Sequence, residues 1–309
     1  MNNTERPRIS VYVITYNQED VIRRTMESLL SQKDYIFEIC INDDCSQDRT
    51  FEILQEYERQ YPNLVKPVQN EHNLGIFANT EAVWKRLTGD IIYDVAGDDV
   101  APQDYLKNVL EFINEKKIDW KNELFCIYGD YMQVNSDGTS IVFHQKLVND
   151  KNALKLKVRK LLSGRSACYS KKILDKFEDV SDGRSFRVEL TQDSQIQLFS
   201  EHNYYLPMVG IIYYAEIGIS SRMNKEEHME NTLKGYDMFV EFLNKHGRQL
   251  DKKDLAFIEY MKAYRTRNMK RALIYYLKSI DFSLGFKGLN LDRILFVLKK
   301  KSRKNQITV

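Results

Sequence analysis

Three short β-prone runs near the start of the chain each stop abruptly in a polar cluster. Ile9 to Thr15 ends at Thr15-Tyr16-Asn17, Phe37 to Ile41 at Asn42-Asp43-Asp44, and Ile91 to Val95 at Gly97-Asp98-Asp99. Helical spacing separates them: Val21, Ile22, Met26, Leu29 and Leu30, then Phe51, Ile53, Leu54 and Tyr57, then a helix over 76–87. Val65 to Val68 reads as a further short strand cut by Pro67. Strands alternating with helices of about a dozen residues predict an α/β fold with a parallel, doubly wound sheet. In such a sheet the carboxyl ends of the strands share one edge, and ligands bind beyond it. Adjacent carboxylates there suit a hard cation such as Mg²⁺ or Mn²⁺, which takes oxygen ligands and shares them with substrate phosphates. Gly97-Asp98-Asp99-x-x-Pro102 is also good turn and helix-cap chemistry, so both readings of the motif stand on its own residues.

The remainder adds strands and then turns helical. Tyr105 to Phe112 reads as a helix and Leu124 to Tyr128 as a strand ending in the acidic turn Gly129-Asp130. Asp137-Gly138 marks a hairpin between 131–134 and 141–143. Residues 145–165 read as loop or short helix, and the charged, glycine-containing stretch 178–188 as a mobile loop. Thr191 is placed to cap a helix with Asp193 in its first turn, where a carboxylate is favoured. Residues 204–214 form the last expected strand, and helical spacing dominates from Lys225 onward. The expected domains are 1–220, with halves of about 1–100 and 101–220, and a helical region 221–309.

Composition narrows the class. With 309 residues, 43% of them hydrophobic, the chain can bury a large core, and no apolar run approaches the ~20 residues of a membrane helix. Cys40, Cys45, Cys126 and Cys168 form no CxxC pair, and the N-terminus lacks an apolar leader; both favour a reduced cytoplasm. The net charge of +2 hides an asymmetry: residues 262–309 hold 13 Lys/Arg against 2 Asp, a net of +11 that leaves −9 on the rest. A basic amphipathic end of this kind either lies in a membrane interface or is a packed helix with a solvated tail. The dinucleotide fingerprint, the P-loop, HExxH and the G-x-S-x-G elbow are all absent from the sequence. What remains is an edge of carboxylates, which repel phosphate unless a cation intervenes.

In order and spacing, the blocks SVYVITYN, EICINDDCSQD, NLGIFANTEAV, TGDIIYDVAGDD and TQDSQIQLF resemble the family 2 glycosyltransferases with the GT-A fold, over roughly residues 8 to 220. That resemblance implies a Rossmann-like, mostly parallel sheet flanked by helices. It implies that Thr15, Tyr16 and Asn17 line a nucleotide pocket and that Asp43 accepts from the base, typically uracil. It places Asp44 in support of that loop or the ribose, and Asn73, Gly75 and Asn79 near the nucleotide. Asp98 and Asp99 match the carboxylate end of the DxD-type motif, which holds ribose and a divalent cation, Mn²⁺ or Mg²⁺. Asp193 matches the catalytic base. Ala96 stands where the first acid of the DxD-type motif usually does, and Gln192-Asp193 replaces the usual Glu-Asp, with Glu189 a nearby rival base. The Q-x-x-R-W block of processive synthases is absent.

The implied activity is inverting transfer of one sugar from a nucleotide-diphosphate donor, UDP-sugar favoured, to a hydroxyl acceptor. The acceptor class is a sugar or lipid-linked saccharide of bacterial surface polysaccharide, with the protein cytoplasmic or peripheral at the inner membrane face and no nucleic acid partner. Two alternatives stay open on the sequence: a nucleotidyltransferase on a similar sheet, and a non-enzymatic protein binding an anionic polymer through its basic end.

Overall fold

Ile9, Val11 and Val13 are fully buried. A β-branched run with no exposed face must lie between covered layers, and β1 (Ile9–Thr15) is an interior strand paired in parallel on both sides. The computed structural model describes residues 6–146, 148–159, 162, 164, 166–178, 189–215 and 225–284, with backbone alone for 189–193, 225–229 and 231–232.

The chain leaves β1 through α1 (Ile22–Leu30), reaches β2 (Glu38–Asp43), and continues through α2 (Thr50–Gln60) to β3 (Val65–Gln69). It then returns through α3 (Gly75–Trp84) to β4 (Ile91–Ala96) on the other side of β1. After α4 (Tyr105–Lys116) come β5 (Phe125–Val134), β6 (Ser140–Phe143), α5 (Ala153–Val158), β7 (Ala167–Ser170), α6 (Lys171–Leu174), α7 (Glu189–Phe199) and β8 (His202–Tyr214). Among the described residues the sheet order is β3-β2-β1-β4-β7-β5-β6, with β8 also pairing β5. The pairs β1–β2, β2–β3, β1–β4 and β5–β8 are parallel, whereas β7 runs antiparallel to β4 and β5, and β6 antiparallel to β5. The architecture is a mixed α/β fold with a mostly parallel central sheet flanked by helices.

One face of the sheet packs Val11, Val13, Ile39, Ile41, Tyr93 and Val95 against the buried stripes of α1, α2 and α4. On the other, Tyr12 meets Trp84 of α3 edge-to-face, with ring centroids 6.5 Å apart. Each fully buried aliphatic side chain contributes roughly 1.5–3 kcal/mol, so this double layer fixes β1 firmly between β2 and β4.

Two local findings differ from the sequence reading. Gly129-Asp130 does not end a strand: β5 runs on through it, with the register against β8 slipping on either side of Asp130. The physical reason is Tyr105, whose fully buried ring lies against both strands. A Cβ on Gly210 would sit 2.6 Å from its Cζ, and one on Gly129 3.0 Å from the Met208 carbonyl oxygen. Glycine here marks a close approach and a bulge rather than a turn. Second, α7 begins at Glu189, so Thr191 lies inside its first turn rather than at the cap. Of the expected 178–188 loop, residues 179–188 lie outside the described residues, as does the basic end 285–309.

The chain divides into two compact units, Met1–Phe239 and Val240–Val309, with α8 (Lys225–Lys245) running across the division. In the second unit, α9 (Lys252–Arg265) is capped by Asp251, whose carboxylate accepts from the Lys253 and Asp254 amides at 2.8 Å. It packs on α10 (Met269–Ser279) through Tyr260 and Tyr276, edge-to-face at 5.6 Å. No helix among the described residues is long and apolar enough to cross a membrane.

Candidate active site

The chain runs outward from β1 to β3 and comes back to β4 on the opposite flank, so the strand order reverses between β1 and β4. The crevice beyond the carboxyl ends at such a reversal is where ligands bind in open α/β sheets. The register brings the predicted clusters there: Thr15 lies opposite Asp43 and Ile14 opposite Ala96. Asp44 N donates to Thr15 O at 2.9 Å, and Gly97 N to Ile14 O at 3.0 Å. The ends of β1 and β2 and the Asp98-Asp99 turn therefore lie along one edge of the sheet.

Beyond β2 the loop is held by its own carboxylates. Asp43 is completely buried; one oxygen accepts from the Ser46 hydroxyl, the other from Ser46 N at 2.9 Å and Gln69 Nε2 at 2.8 Å. Asp44 reaches the start of α3: Oδ1 accepts from Leu74 N and Oδ2 from Gly75 N, both at 2.8 Å. It thus satisfies amides that a helix N-terminus leaves without intrahelical partners. These contacts tie the loop after β2 to the start of α3. Gly75 sits at φ +79°, a left-handed conformation that favours glycine. Asn73 Nδ2 donates to Asp44 O at 3.3 Å. Buried Asn79 donates to Asn42 O at 3.2 Å and accepts from Asn70 Nδ2 at 2.8 Å, bracing the base of the same loop.

From β1, Asn17 adopts φ 51°, donates its amide to Ser46 Oγ at 2.9 Å and accepts from Gln47 N at 2.8 Å. Tyr16, next to it in the chain, is half-buried. Asp48 had no assigned role in the sequence reading, yet it ties both loops together. It accepts from Glu19 N at 3.1 Å and from Thr50 N and Oγ1 at 2.9 and 2.5 Å. Burial pushes its carboxyl up, but the Thr50 and Glu19 hydrogen bonds outweigh that and hold it below its ordinary value. Asp-x-Thr just before a helix was the available signal.

The turn after β4 is fastened through its backbone. Thr25 Oγ1 donates to Gly97 O at 2.9 Å and to Asp99 O at 2.7 Å; Arg24 Nη2 donates to Asp98 O at 2.8 Å. The Arg24 guanidinium lies 3.6 Å from the Tyr214 ring centroid, and Val100 exchanges hydrogen bonds with Ile212 at 2.8 and 3.0 Å. A Cβ on Gly97 would fall 2.9 Å from Thr15 Oγ1, so the ends of β4 and β1 touch. Sequence reasoning missed Arg24, Thr25 and Tyr214; a threonine on the apolar stripe of α1 was the one hint, since a buried hydroxyl needs a partner.

Asp98 and Asp99 are both buried. Among the described residues no group of three His, Cys, Asp or Glu side chains gathers as a metal cage. Two hard carboxylates at a ligand crevice nonetheless fit Mg²⁺ or Mn²⁺, which need only one or two protein carboxylates when water and substrate phosphate complete the shell. Asp193 lies in α7, and its side chain, like that of Glu189, is outside the described residues.

The sequence profile described as "Glycosyl transferase family 2" matches residues 10–176. Among curated proteins, the chain is similar to the putative teichuronic acid biosynthesis glycosyltransferase TuaG of Bacillus subtilis, 32% identical over 136 residues, 44% of this chain and 51% of that protein. The curated relatives it matches are covered over only part of their length, 27% in the case of a mycobacterial protein 35% identical over 92 residues. Among solved structures, S. aureus TarS 1-349 in complex with UDP-GlcNAc aligns with a TM-score of 0.57 at 17% identity, over 90% of this chain and 92% of that one. The mannosyltransferase PcManGT from Pyrobaculum calidifontis, in complex with GDP-Man and Mn²⁺, aligns with a TM-score of 0.56 at 15% identity, over 96% and 81%. These likenesses are to the GT-A fold described above.

Proposed function

The chain belongs to glycosyltransferase family 2, and from that premise we propose that it transfers a single sugar from a nucleotide-diphosphate donor, UDP-sugar favoured, to a hydroxyl acceptor with inversion. The observation that carries the reading is the shared edge: Thr15 and Asp43 lie opposite each other at the ends of β1 and β2, and the Asp98-Asp99 turn follows the Ile14–Ala96 pair at the end of β4, across the reversal of strand order. The catalytic unit in this reading is residues 1–220, with the nucleotide half in about 1–100, the acceptor half in about 101–220, and residues 221–309 a helical extension.

In the mechanism, Thr15, Tyr16 and Asn17 form one wall of the nucleotide pocket and the Asp43–Ser46 loop the other. Asp43 accepts from the base, and Asp44, Asn73, Gly75 and Asn79 keep that loop in place. Asp98 addresses the ribose and, with Asp99, would hold the divalent cation. A bound Mg²⁺ or Mn²⁺ would supply charge neutralisation for the diphosphate leaving group. Asp193 takes the proton of the acceptor hydroxyl as its oxygen bonds to the anomeric carbon. The bond from that carbon to the diphosphate oxygen breaks on the opposite face, and the nucleoside diphosphate leaves with the electron pair. The neighbours bound to UDP-GlcNAc and GDP-Man support a nucleotide-sugar donor. TuaG supports a surface-polysaccharide acceptor, and with it a position in the cytoplasm or at the inner membrane face.

A screen of nucleotide sugars for Mn²⁺-dependent hydrolysis names the donor without an acceptor. Asp193→Asn is expected to keep nucleotide affinity within about twofold while turnover falls by 10²-fold or more, a loss on the scale of general-base catalysis. Unchanged turnover in that variant removes Asp193 from the mechanism.

A further inference from the structure

The helix α10 buries Ala272, Tyr276 and Ser279 on one face. The opposite face is apolar where water should be: Leu273 is 58% exposed, Ile274 53% and Leu277 59%, with Met269 in the same stripe. Phe282, just past the helix end, is 76% exposed and extends the patch. Residues 269, 273 and 277 recur every four positions and so form one continuous line along the helix. Contiguous exposed apolar surface of this kind marks an interaction site.

The charges beside the line identify the partner. Lys270, Arg271 and Lys278 are the ionised side chains of α10, which has no acid. Arg271 is paired with Glu259 at 2.7 Å and lies over Tyr275, as does Lys278. A second copy meeting this face symmetrically would set the same surface against itself, bringing lysines toward lysines with no acid on either helix. An anionic bilayer answers both features at once: acyl chains take the leucines, and acidic headgroups take the bordering lysines. The sequence that follows α10 is basic as well, residues 285–309 carrying seven Lys/Arg and one Asp.

We propose that the Met269–Leu273–Leu277 face of α10, with Phe282, docks the protein on an anionic lipid surface, α10 lying in the interface plane. This contact is distinct from the basic end of the chain and independent of which sugar is moved.

The test is co-sedimentation of the full-length protein with vesicles of phosphatidylcholine alone and of phosphatidylcholine with one-quarter phosphatidylglycerol. The expected result is partitioning onto the acidic vesicles only, reduced about tenfold by L273D/L277D and comparably by K270E/K278E. Both pairs are surface changes and should leave the melting temperature and the nucleotide-sugar hydrolysis rate unchanged. Sedimentation equilibrium without lipid should give a monomer for both the parent and L273D/L277D. Equal binding of parent and L273D/L277D overturns the proposal, as does equal binding to neutral and acidic vesicles. So does a dimer that L273D/L277D dissociates.

Discussion

Arg24 of α1 donates from Nη2 to the backbone oxygen of Asp98 at 2.8 Å while its guanidinium rests 3.6 Å from the centre of the Tyr214 ring. One side chain thus joins the first helix, the turn that carries the carboxylates, and the last residue of β8. A charge-assisted hydrogen bond contributes about 1.5–3 kcal/mol and a half-desolvated cation–π contact about 1 kcal/mol, partly offset by desolvation of the cation. Arg24→Ala is therefore expected to cost about 2 kcal/mol in urea unfolding. Because the turn loosens at the proposed donor site, KM for the nucleotide sugar should rise about tenfold, more than kcat falls. Arg24→Lys should recover little, since an ammonium lacks the flat face that stacks on Tyr214. A variant with unchanged donor KM would show that the contact is only structural.

Glu38 lies at the opposite end of the sheet and makes stability depend on acid. Burial pushes its carboxyl up, but Lys66, the Ser10 hydroxyl and the Thr88 amide and hydroxyl overcome this and bring it down to about 2. The Lys66 ammonium is 2.7 Å away. A carboxyl depressed in the folded state stabilises above its unfolded value and loses that contribution as pH falls toward the folded value. The window runs from an ordinary 4.5 down to about 2, and its full depth is at most roughly 3 kcal/mol. Urea midpoints measured from pH 5 to pH 2.5 should fall steeply for the parent. For Glu38→Gln the midpoint should start lower and fall less; parallel curves would contradict this assignment.

How much of this was legible in the sequence differs by element. Interior strands such as β1 and β4 are written as short β-prone, mostly apolar runs, interrupted by Ser10 and Asp94, and their polar ends are visible at once. That those ends are neighbours followed from the sheet being parallel, and the Thr15–Asp43 register bears it out. Asp44 was visible as a candidate site residue, but the amides it holds belong to Leu74 and Gly75, a long-range pairing that no local spacing records. Arg24 and Thr25 look like ordinary members of an amphipathic helix, because the oxygens they hold belong to a turn far along the chain. Gly129-Asp130 carries the same local signature whether it ends a strand or bulges one, and only the Tyr105 ring decides between them.

That ring supports a sharper prediction. A Cβ at Gly210 would stand 2.6 Å from Tyr105 Cζ and 2.8 Å from its hydroxyl oxygen. The ring has little freedom to retreat, since its hydroxyl donates to Ser166 O at 2.8 Å and it packs on Tyr93 with centroids 5.4 Å apart. Overpacking a tight core site costs typically 1–3 kcal/mol. Gly210→Ala is expected at the upper end, about 3 kcal/mol by thermal or urea unfolding. Tyr105→Leu alone should also destabilise, but the double variant should be less destabilised than the sum of the two. Strict additivity would mean that the clash is relieved by backbone movement instead.

The Asp98-Asp99 turn allows the cation to be tested apart from turnover. Gly97, Asp98 and Asp99 are anchored to α1 through their carbonyl oxygens, so Asp98→Asn, which keeps shape and backbone, should shift the melting temperature of the free protein by about 2 °C or less. Ligand that binds only the folded state stabilises it by about 2.7 kcal/mol at a hundred times its Kd. For a domain of this size that amounts to roughly 5–10 °C. UDP with Mn²⁺ should give a shift of that order in the parent, and UDP with chelator much less, because carboxylates facing a diphosphate repel it without a cation between them. In Asp98→Asn the Mn²⁺-dependent part should fall by more than half while the chelator value stays the same or rises, since one repelling charge is gone. Asp99→Asn should show the same pattern if both carboxylates face the ion. An Mn²⁺-dependent shift that survives in both variants would move the cation off this turn.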